Sequence, residues 1–180
     1  MLHRASAAWA RVEIFVAGCL AAAITGLILL NVVTRALNQS IYWVDEAAIY
    51  TMAWMTFLAG SAAVHYGNSV AVTLLQDALP PALARGVAIF KDLCVLVFAV
   101  LMLWFCWRWY LPLDIAQAGF DARTFQGNTF NFIYAEPTTT LPFKKWIVWL
   151  VMWLFSFGLI LHGTSNLLGG GEHLDRAEVT

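Results

Sequence analysis

The chain has 180 residues, of which 61% are hydrophobic and 12% charged, with nine tryptophans and a net charge of -1. This composition is not that of an ordinary soluble domain and is typical of an integral membrane protein. The ten basic residues are scattered singly, apart from Lys144 and Lys145, which argues against a nucleic-acid-binding surface.

Uncharged runs predict four transmembrane helices, at about residues 12–36, 46–66, 86–111 and 143–168. The predicted fold class is therefore all-α, a single four-helix membrane domain over residues 1–180 with both termini on the same side. The first run, residues 14–34, is longer than the hydrophobic region of a signal peptide, so we expect it to be retained. Five basic residues fall on each side, so the positive-inside rule does not orient the chain.

The third and fourth spans carry additional signals. Only residues 93–107 of the third span are uncharged, so the span must include Lys91 and Asp92, which we expect near its end with their side chains reaching the headgroups. Trp104, Trp107, Trp109 and Tyr110 at its other end are typical of interface anchors. In the fourth span a face of three tryptophans favours lipid anchoring, docking or bundle packing: Trp146, Trp149 and Trp153.

The segment at about residues 112–142 is the largest extramembrane piece. A loop of this length is uncommon without structure of its own, so we predict a short helix at about residues 115–125, lying on the membrane. Residues 68–75 alternate apolar and small polar side chains. They are predicted to be an interfacial segment leading to the break at Pro80 and Pro81.

Small residues line one face of each of the first two helices. Gly18, Ala22 and Gly26 recur every four residues, which would let a neighbouring helix backbone approach closely. The second helix has a similar face, whose residues include Gly60. Packing within this chain, contact with another subunit and simple tolerance of small residues all remain open for these faces.

Polar residues cluster where the first helix turns into the second. Asn31 and Arg35 lie four residues apart and so share a helix face, and Asp45 and Glu46 follow the turn. We predict that Arg35 pairs with Glu46 across this hairpin. Asn31 is interpreted as a hydrogen-bonding residue within the bundle rather than a transport ligand.

Other functions are less well supported by the sequence. The chain has no G-x-S-x-G, HExxH or P-loop motif, so we expect no enzymatic activity and no cofactor. Its three cysteines lack the spacing of a metal site or disulfide framework. His65 and His162 are predicted at the same end of the bundle, which leaves a haem-binding membrane anchor as an alternative.

Several short motifs occur in a fixed order: Asn31-Val32-Val33-x-Arg35, Trp43-x-Asp45-Glu46, Trp54-x-x-Phe57-x-x-Gly60-x-Ala62, Gly67-x-x-Val70-x-Val72-x-x-Leu75, Leu79-Pro80 and Leu141-Pro142. In these motifs the chain resembles the small membrane subunit, or Q subunit, of tripartite ATP-independent periplasmic (TRAP) transporters. Family members frequently have Arg, His and Asp at three positions where this chain has Ile49, Ser69 and Thr73.

The resemblance implies a bacterial inner-membrane protein with cytoplasmic termini that works beside a large multi-span permease subunit, which carries the substrate and sodium sites. A periplasmic solute-binding protein would deliver the solute, often an organic acid. The small subunit would act as a scaffold in contact with partner proteins and membrane lipid. Arg35, Trp43 and Glu46, with the long loop, would face the periplasm. The small subunit of a tripartite tricarboxylate transporter and a purely structural assembly factor remain alternatives.

Overall fold

The computed structural model describes residues 1–67 and 79–169, apart from the side chains of residues 81 and 82. The predicted interfacial segment at residues 68–75 and the motif from Gly67 to Leu75 lie largely outside these residues. The described part contains seven helices: α1 (Leu2–Ala36), α2 (Val44–Tyr66), α3 (Pro81–Tyr110), α4 (Pro112–Gln117), α5 (Ala122–Thr129), α6 (Lys145–Trp149) and α7 (Val151–Leu168).

Four helical segments are long and apolar enough to cross a membrane, which confirms the all-α, four-span prediction. They are α1, α2, α3 with α4, and α6 with α7. Within the described residues, the only β pairing is an isolated antiparallel bridge between Pro137 and Lys144. α1 begins at Leu2, well before the predicted start of the first span.

The helix ends follow local backbone chemistry. α2 ends at Tyr66 and is followed by Gly67, whose φ of +67° is a left-handed conformation that glycine adopts without a steric penalty. α3 begins with a proline at its first position, where the missing N–H would have no helical partner. It ends at Tyr110, because Leu111 has a left-handed backbone conformation and Pro112 cannot donate the next helical hydrogen bond.

α7 is the central helix of the bundle, since it packs against α1, α2 and α3. α1 and α2 form a closely packed hairpin, while α3 packs mainly on α7. A small apolar core of Ala17, Leu58 and Val151 joins α1, α2 and α7. The bundle has two ends. The loop end contains the α1–α2 turn and residues 111–144, and the terminal end contains the start of α1 and the end of α7.

Residues 111–144, here called the cap, have a hydrophobic core of their own. Phe125 and Ile133 pack with Ile115 and with Tyr110 from the end of α3. The single helix predicted at about residues 115–125 is wrong. The cap has two short helices instead, separated by a turn in which Gly119 and Phe120 have φ values of +64° and +61°.

The three tryptophans of the fourth span pack against the core of the cap, which supports the bundle-packing interpretation for that face: Trp146, Trp149 and Trp153. Tyr110 was predicted to be an interface anchor but is only 4% exposed. Its hydroxyl donates a hydrogen bond of 2.7 Å to the carbonyl of Trp146, and its carbonyl accepts one of 2.7 Å from Tyr134. Tyr110 therefore joins α3 to the cap and to α6.

Candidate functional site

The terminal end holds a buried polar cluster formed by three helices. α1 contributes Ser6 and Glu13, α2 contributes His65, and α7 contributes His162. Ser6 and His162 are fully buried, Glu13 is 1% exposed and His65 is 7% exposed. Buried polar side chains in an apolar bundle usually have partners, because an unpaired group loses its hydration without compensation.

The four side chains of this cluster form a continuous hydrogen-bonded chain. Ser6 Oγ lies 2.7 Å from His65 Nδ1 and 2.8 Å from His162 Nδ1. His162 Nε2 lies 3.0 Å from Glu13 Oε2. Both ring nitrogens of His162 are thus engaged, one by a hydroxyl and the other by a carboxyl. These hydrogen bonds fasten the first part of α1 to α2 and α7.

Glycine at position 158 makes room for part of this cluster. A Cβ atom there would lie 2.6 Å from Glu13 Oε1 and 3.2 Å from Trp9 Nε1, and still closer to Ser61 Oγ. Glu13 Oε1 and Ser61 Oγ are buried and have no hydrogen-bond partner among the described residues. α1 and α2 can therefore approach α7 closely beside Gly158 because this residue has no side chain.

We expect Gly158→Ala to destabilise the protein by roughly 1–3 kcal/mol, because the added methyl group overpacks a site already filled by Glu13 and Ser61. Unfolding of the purified protein in detergent measures the change. Gly18→Ala and Gly26→Ala are matched controls, since a Cβ at either position meets nothing within 4 Å in this chain. Equal losses in all three variants would contradict the prediction.

A second polar cluster lies at the loop end, on α1 and the start of α2. Arg35 Nε donates to Asn31 Oδ1 at 2.9 Å, and Arg35 Nη2 donates to Asp45 Oδ2 at 2.8 Å. Asn31 Nδ2 also donates to Asp45 Oδ1. The predicted pairing of Arg35 with Glu46 is wrong, because Asp45 takes that position. The side chains of Arg35 and Asp45 are 62% and 54% exposed, so the pair contributes only about 0–1 kcal/mol.

Glu46 instead joins α2 to the cap. Its carboxylate accepts hydrogen bonds from the backbone N–H groups of Thr139 and Thr140, at 2.8 and 2.5 Å, and from the hydroxyls of Thr140 and Tyr50. Successive residues of a helix point about 100° apart, so Asp45 and Glu46 serve different neighbours. Glu46 thereby fixes the tip of the turn at residues 138–143.

The cap is stabilised by further hydrogen bonds outside the membrane-spanning segments. Asp121 begins α5 and accepts hydrogen bonds from the Thr124 hydroxyl at 2.6 Å and from its N–H at 2.9 Å. These bonds hold the pKa of Asp121 below its usual value, because they stabilise the ionised carboxylate. Burial raises the pKa of Tyr134. The bonds of Asp121 thus fix the first turn of α5.

The structure places the remaining candidate residues in different surroundings. Trp54 Nε1 donates to the carbonyl of Val148 at 2.7 Å, which holds α2 against α6. Trp43 precedes α2 and is 37% exposed. A Cβ at Gly60 would lie 3.7 Å from the ring of Phe155 on α7. Ala22 is exposed, as are both glycines of its face on α1, so that face does not pack within the described part of this chain.

Comparison with known proteins places these features in a family. Residues 24–170 match the family model described as tripartite ATP-independent periplasmic transporters, DctQ component. The chain belongs to this family. It is therefore a small subunit of a TRAP transporter and a multi-pass membrane protein.

One relative is the C4-dicarboxylate TRAP transporter small permease protein DctQ of Vibrio cholerae. It is 28% identical over 111 residues, which cover 61% of this chain and 48% of the relative. The matched part of the chain thus spans about half the length of this relative. No solved structure matches the chain.

The TRAP family match includes the loop-end cluster, the cap, His65 and His162, but it begins after Ser6 and Glu13. Sequence reasoning missed these two α1 residues, because Ser6 precedes the predicted first span of about residues 12–36 and Glu13 lies just outside its uncharged run. A spacing signal was present: the buried positions Ser6, Ala10, Glu13 and Ala17 lie three or four residues apart on one helix face. Of the three departures from the family pattern, Ile49 is 57% exposed, and Ser69 and Thr73 lie outside the described residues.

His65 and His162 meet at the terminal end, with ring centroids 5.2 Å apart, as their predicted helix exits required. An iron ligand must offer a ring nitrogen that is not otherwise bound. His162 uses Nδ1 with Ser6 and Nε2 with Glu13, so this geometry does not favour haem ligation. Among the described residues, no group of three or more His, Cys, Asp or Glu side chains could hold a metal ion.

Proposed function

We propose that this chain is the scaffold subunit of a sodium-coupled solute importer. In this function it holds a large permease subunit in the membrane and contributes to the docking surface for a periplasmic solute-binding protein. The observation that carries the proposal is the match to the TRAP small-subunit family over residues 24–170. The chain would lie in a bacterial inner membrane with both termini in the cytoplasm.

The distribution of buried and exposed surface supports a scaffold. The central helix α7 contacts three other helices, whereas α1 and α3 present long apolar surfaces outward. The outward surface of α1 includes the face of Gly18, Ala22 and Gly26, where the backbone of another helix could approach closely. We propose that the large permease subunit contacts this small-residue face, with lipid covering the rest.

The loop end is the proposed docking surface on the periplasmic side. It combines the Arg35–Asp45 pair, Trp43 and the cap. The cap also presents three exposed aromatic residues, Phe120, Phe130 and Phe132, with exposures of 78%, 83% and 54%. Because the cap has its own core and is bonded to Glu46, this surface is held in a defined shape before a partner binds.

The solute is proposed to be an organic acid, because the Vibrio cholerae relative is named as a C4-dicarboxylate transporter subunit. Uptake into proteoliposomes, with the co-purified permease and the solute-binding protein, tests the proposal. We expect organic-acid uptake that requires an inward sodium gradient and all three proteins. Full uptake without this chain, or with a potassium gradient, would contradict the proposal.

Affinity purification of the tagged chain from native membranes tests the contact between subunits. We expect Ala22→Trp to reduce recovery of the large permease by roughly tenfold, because the indole blocks close helix approach. Ala23→Trp is the matched control, since Ala23 is also exposed but points about 100° away around α1. Equal recovery with both variants would exclude this face as the contact.

We expect Glu46→Ala to loosen the cap without unfolding the bundle. The amides of Thr139 and Thr140 should lose roughly tenfold or more of their hydrogen-exchange protection, because both donate to this carboxylate. Binding of the solute-binding protein should weaken while recovery of the permease stays unchanged. Asp45→Ala is the control, and it should leave protection of these two amides intact.

A further inference from the structure

In the terminal-end cluster, Glu13 and His65 can exchange a proton through the hydrogen bonds of His162 and Ser6, which lie between them. Its order is Glu13, His162, Ser6 and His65, with neighbouring atoms 3.0, 2.8 and 2.7 Å apart. All three separations are within the range of ordinary hydrogen bonds. Every member except serine titrates in proteins, and serine can donate and accept at the same time.

The hydroxyl of Ser6 decides how protons are arranged, because it has one hydrogen and faces two Nδ1 atoms. When the Ser6 hydroxyl donates to one imidazole, the other imidazole donates to Ser6 Oγ. If His162 Nδ1 accepts, the His162 proton lies on Nε2 and points to a Glu13 carboxylate. If His162 Nδ1 donates, neutral His162 accepts at Nε2 from a protonated Glu13. The protonation of Glu13 and the state of His65 are thus linked.

We propose that Glu13, His162, Ser6 and His65 form a proton-binding chain that shares one labile proton between the Glu13 carboxyl and the His65 imidazole. In the transfer, Glu13 gives its proton to His162 Nε2, His162 Nδ1–H gives its proton to Ser6 Oγ, and the Ser6 hydroxyl proton passes to His65 Nδ1. A neutral carboxyl and a neutral imidazole become a carboxylate and an imidazolium, with His162 and Ser6 neutral before and after.

Glu13 forms the buried end of this hydrogen-bonded chain. Glu13 is 1% exposed, and its Oε1 has no hydrogen-bond partner among the described residues. An ionised carboxylate with an unpaired oxygen in an apolar interior is costly, and protonation removes the charge. His65 lies beside the exposed Tyr66, the last residue of α2, with ring centroids 5.0 Å apart.

Each helix packed around the hydrogen-bonded series from Glu13 to His65 also contributes other polar groups beside it. α1 contributes His3, whose ring centroid lies 5.8 Å from that of His65, and the indole of Trp9 near Gly158. α2 adds Ser61 and Tyr66. α3 brings Lys91 and Asp92 to the neighbouring part of α7 at Gly163, with Lys91 Nζ 3.2 Å from Asp92 Oδ1. Lys91 and Asp92 lie beside each other and have opposite charges. The pair therefore has little net effect on the hydrogen-bonded series from Glu13 to His65.

Two spectroscopic measurements on the full-length protein in lipid nanodiscs test the proposal. Infrared titration should show a carboxyl carbonyl band that changes with pH and is missing in Glu13→Gln. ¹⁵N NMR of labelled histidine should show His65 and His162 responding to pH with a common midpoint that matches the carboxyl band. Independent midpoints in the unaltered protein, or a Glu13 band that never changes with pH, would overturn the proposal.

Variants test whether the proton is shared through Ser6. We expect Ser6→Ala to move the midpoint of the Glu13 band by about one pH unit and to separate the titrations of the two histidines. His65→Gln should also move this midpoint, although His65 reaches Glu13 only through Ser6 and His162. Ser156→Ala is the matched control, because Ser156 is fully buried on α7 but donates to the carbonyl of Met152 in its own helix. Equal midpoints in Ser6→Ala and Ser156→Ala would overturn the proposal.

Discussion

Replacing Glu13 with alanine is expected to lower the free energy of unfolding by about 3–5 kcal/mol, because it opens a cavity in the bundle and leaves a buried polar atom unpaired. The substitution leaves His162 Nε2 without its partner at a fully buried position and removes one of the two hydrogen bonds by which His162 of α7 is joined to α1. Unfolding of the purified protein by denaturant, followed by tryptophan fluorescence, measures the loss. The start of α1 should also become accessible to proteases.

Glu136→Ala is the matched control for this experiment. Glu136 also pairs with a basic side chain, Lys145, at 2.5 Å, but its side chain is 52% exposed. Water solvates an exposed carboxylate and its partner separately, so the pair contributes at most about 1 kcal/mol. A loss in Glu13→Ala no larger than that in Glu136→Ala would show that the buried cluster does not stabilise the bundle.

Phe125→Ala is expected to destabilise the cap by about 3–5 kcal/mol, because it empties the centre of a small core. Phe125 is 1% exposed and packs edge-to-face on Tyr134, with ring centroids 5.0 Å apart. The cap has few other large buried side chains to compensate. Hydrogen exchange should show loss of protection in α4 and α5, while α1 and α2 retain theirs.

Phe132→Ala provides the comparison, since this ring lies in the same cap but is 54% exposed. Exposed apolar side chains contribute little to folding, so its effect on cap protection should be within about 0.5 kcal/mol. If the cap is also the docking surface, Phe132→Ala should weaken binding of the solute-binding protein without loosening the cap. Identical exchange patterns in the two variants would contradict a cap that is ordered by Phe125.

The local features of the hairpin show how far sequence reasoning extends. Asn31 and Arg35 are four residues apart, and the helix period alone brings them into contact, as the bond from Arg35 to Asn31 confirms. The choice between Asp45 and Glu46 as the partner of Arg35 was predicted wrongly. Adjacent helical residues point in different directions, and only the turn geometry decides which one faces α1.

The amino-acid sequence by itself determined the four apolar helices, their breaks at Pro80 and Pro112, and the likeness to TRAP small subunits. These features depend on hydrophobic runs, on backbone chemistry and on motifs that are local in the chain. Only the tertiary structure decided that Glu13 lies in the bundle rather than at its border, because its partner His162 is 149 residues away. A buried polar group is stabilised by whichever distant groups surround it, and helix packing alone brings those groups together.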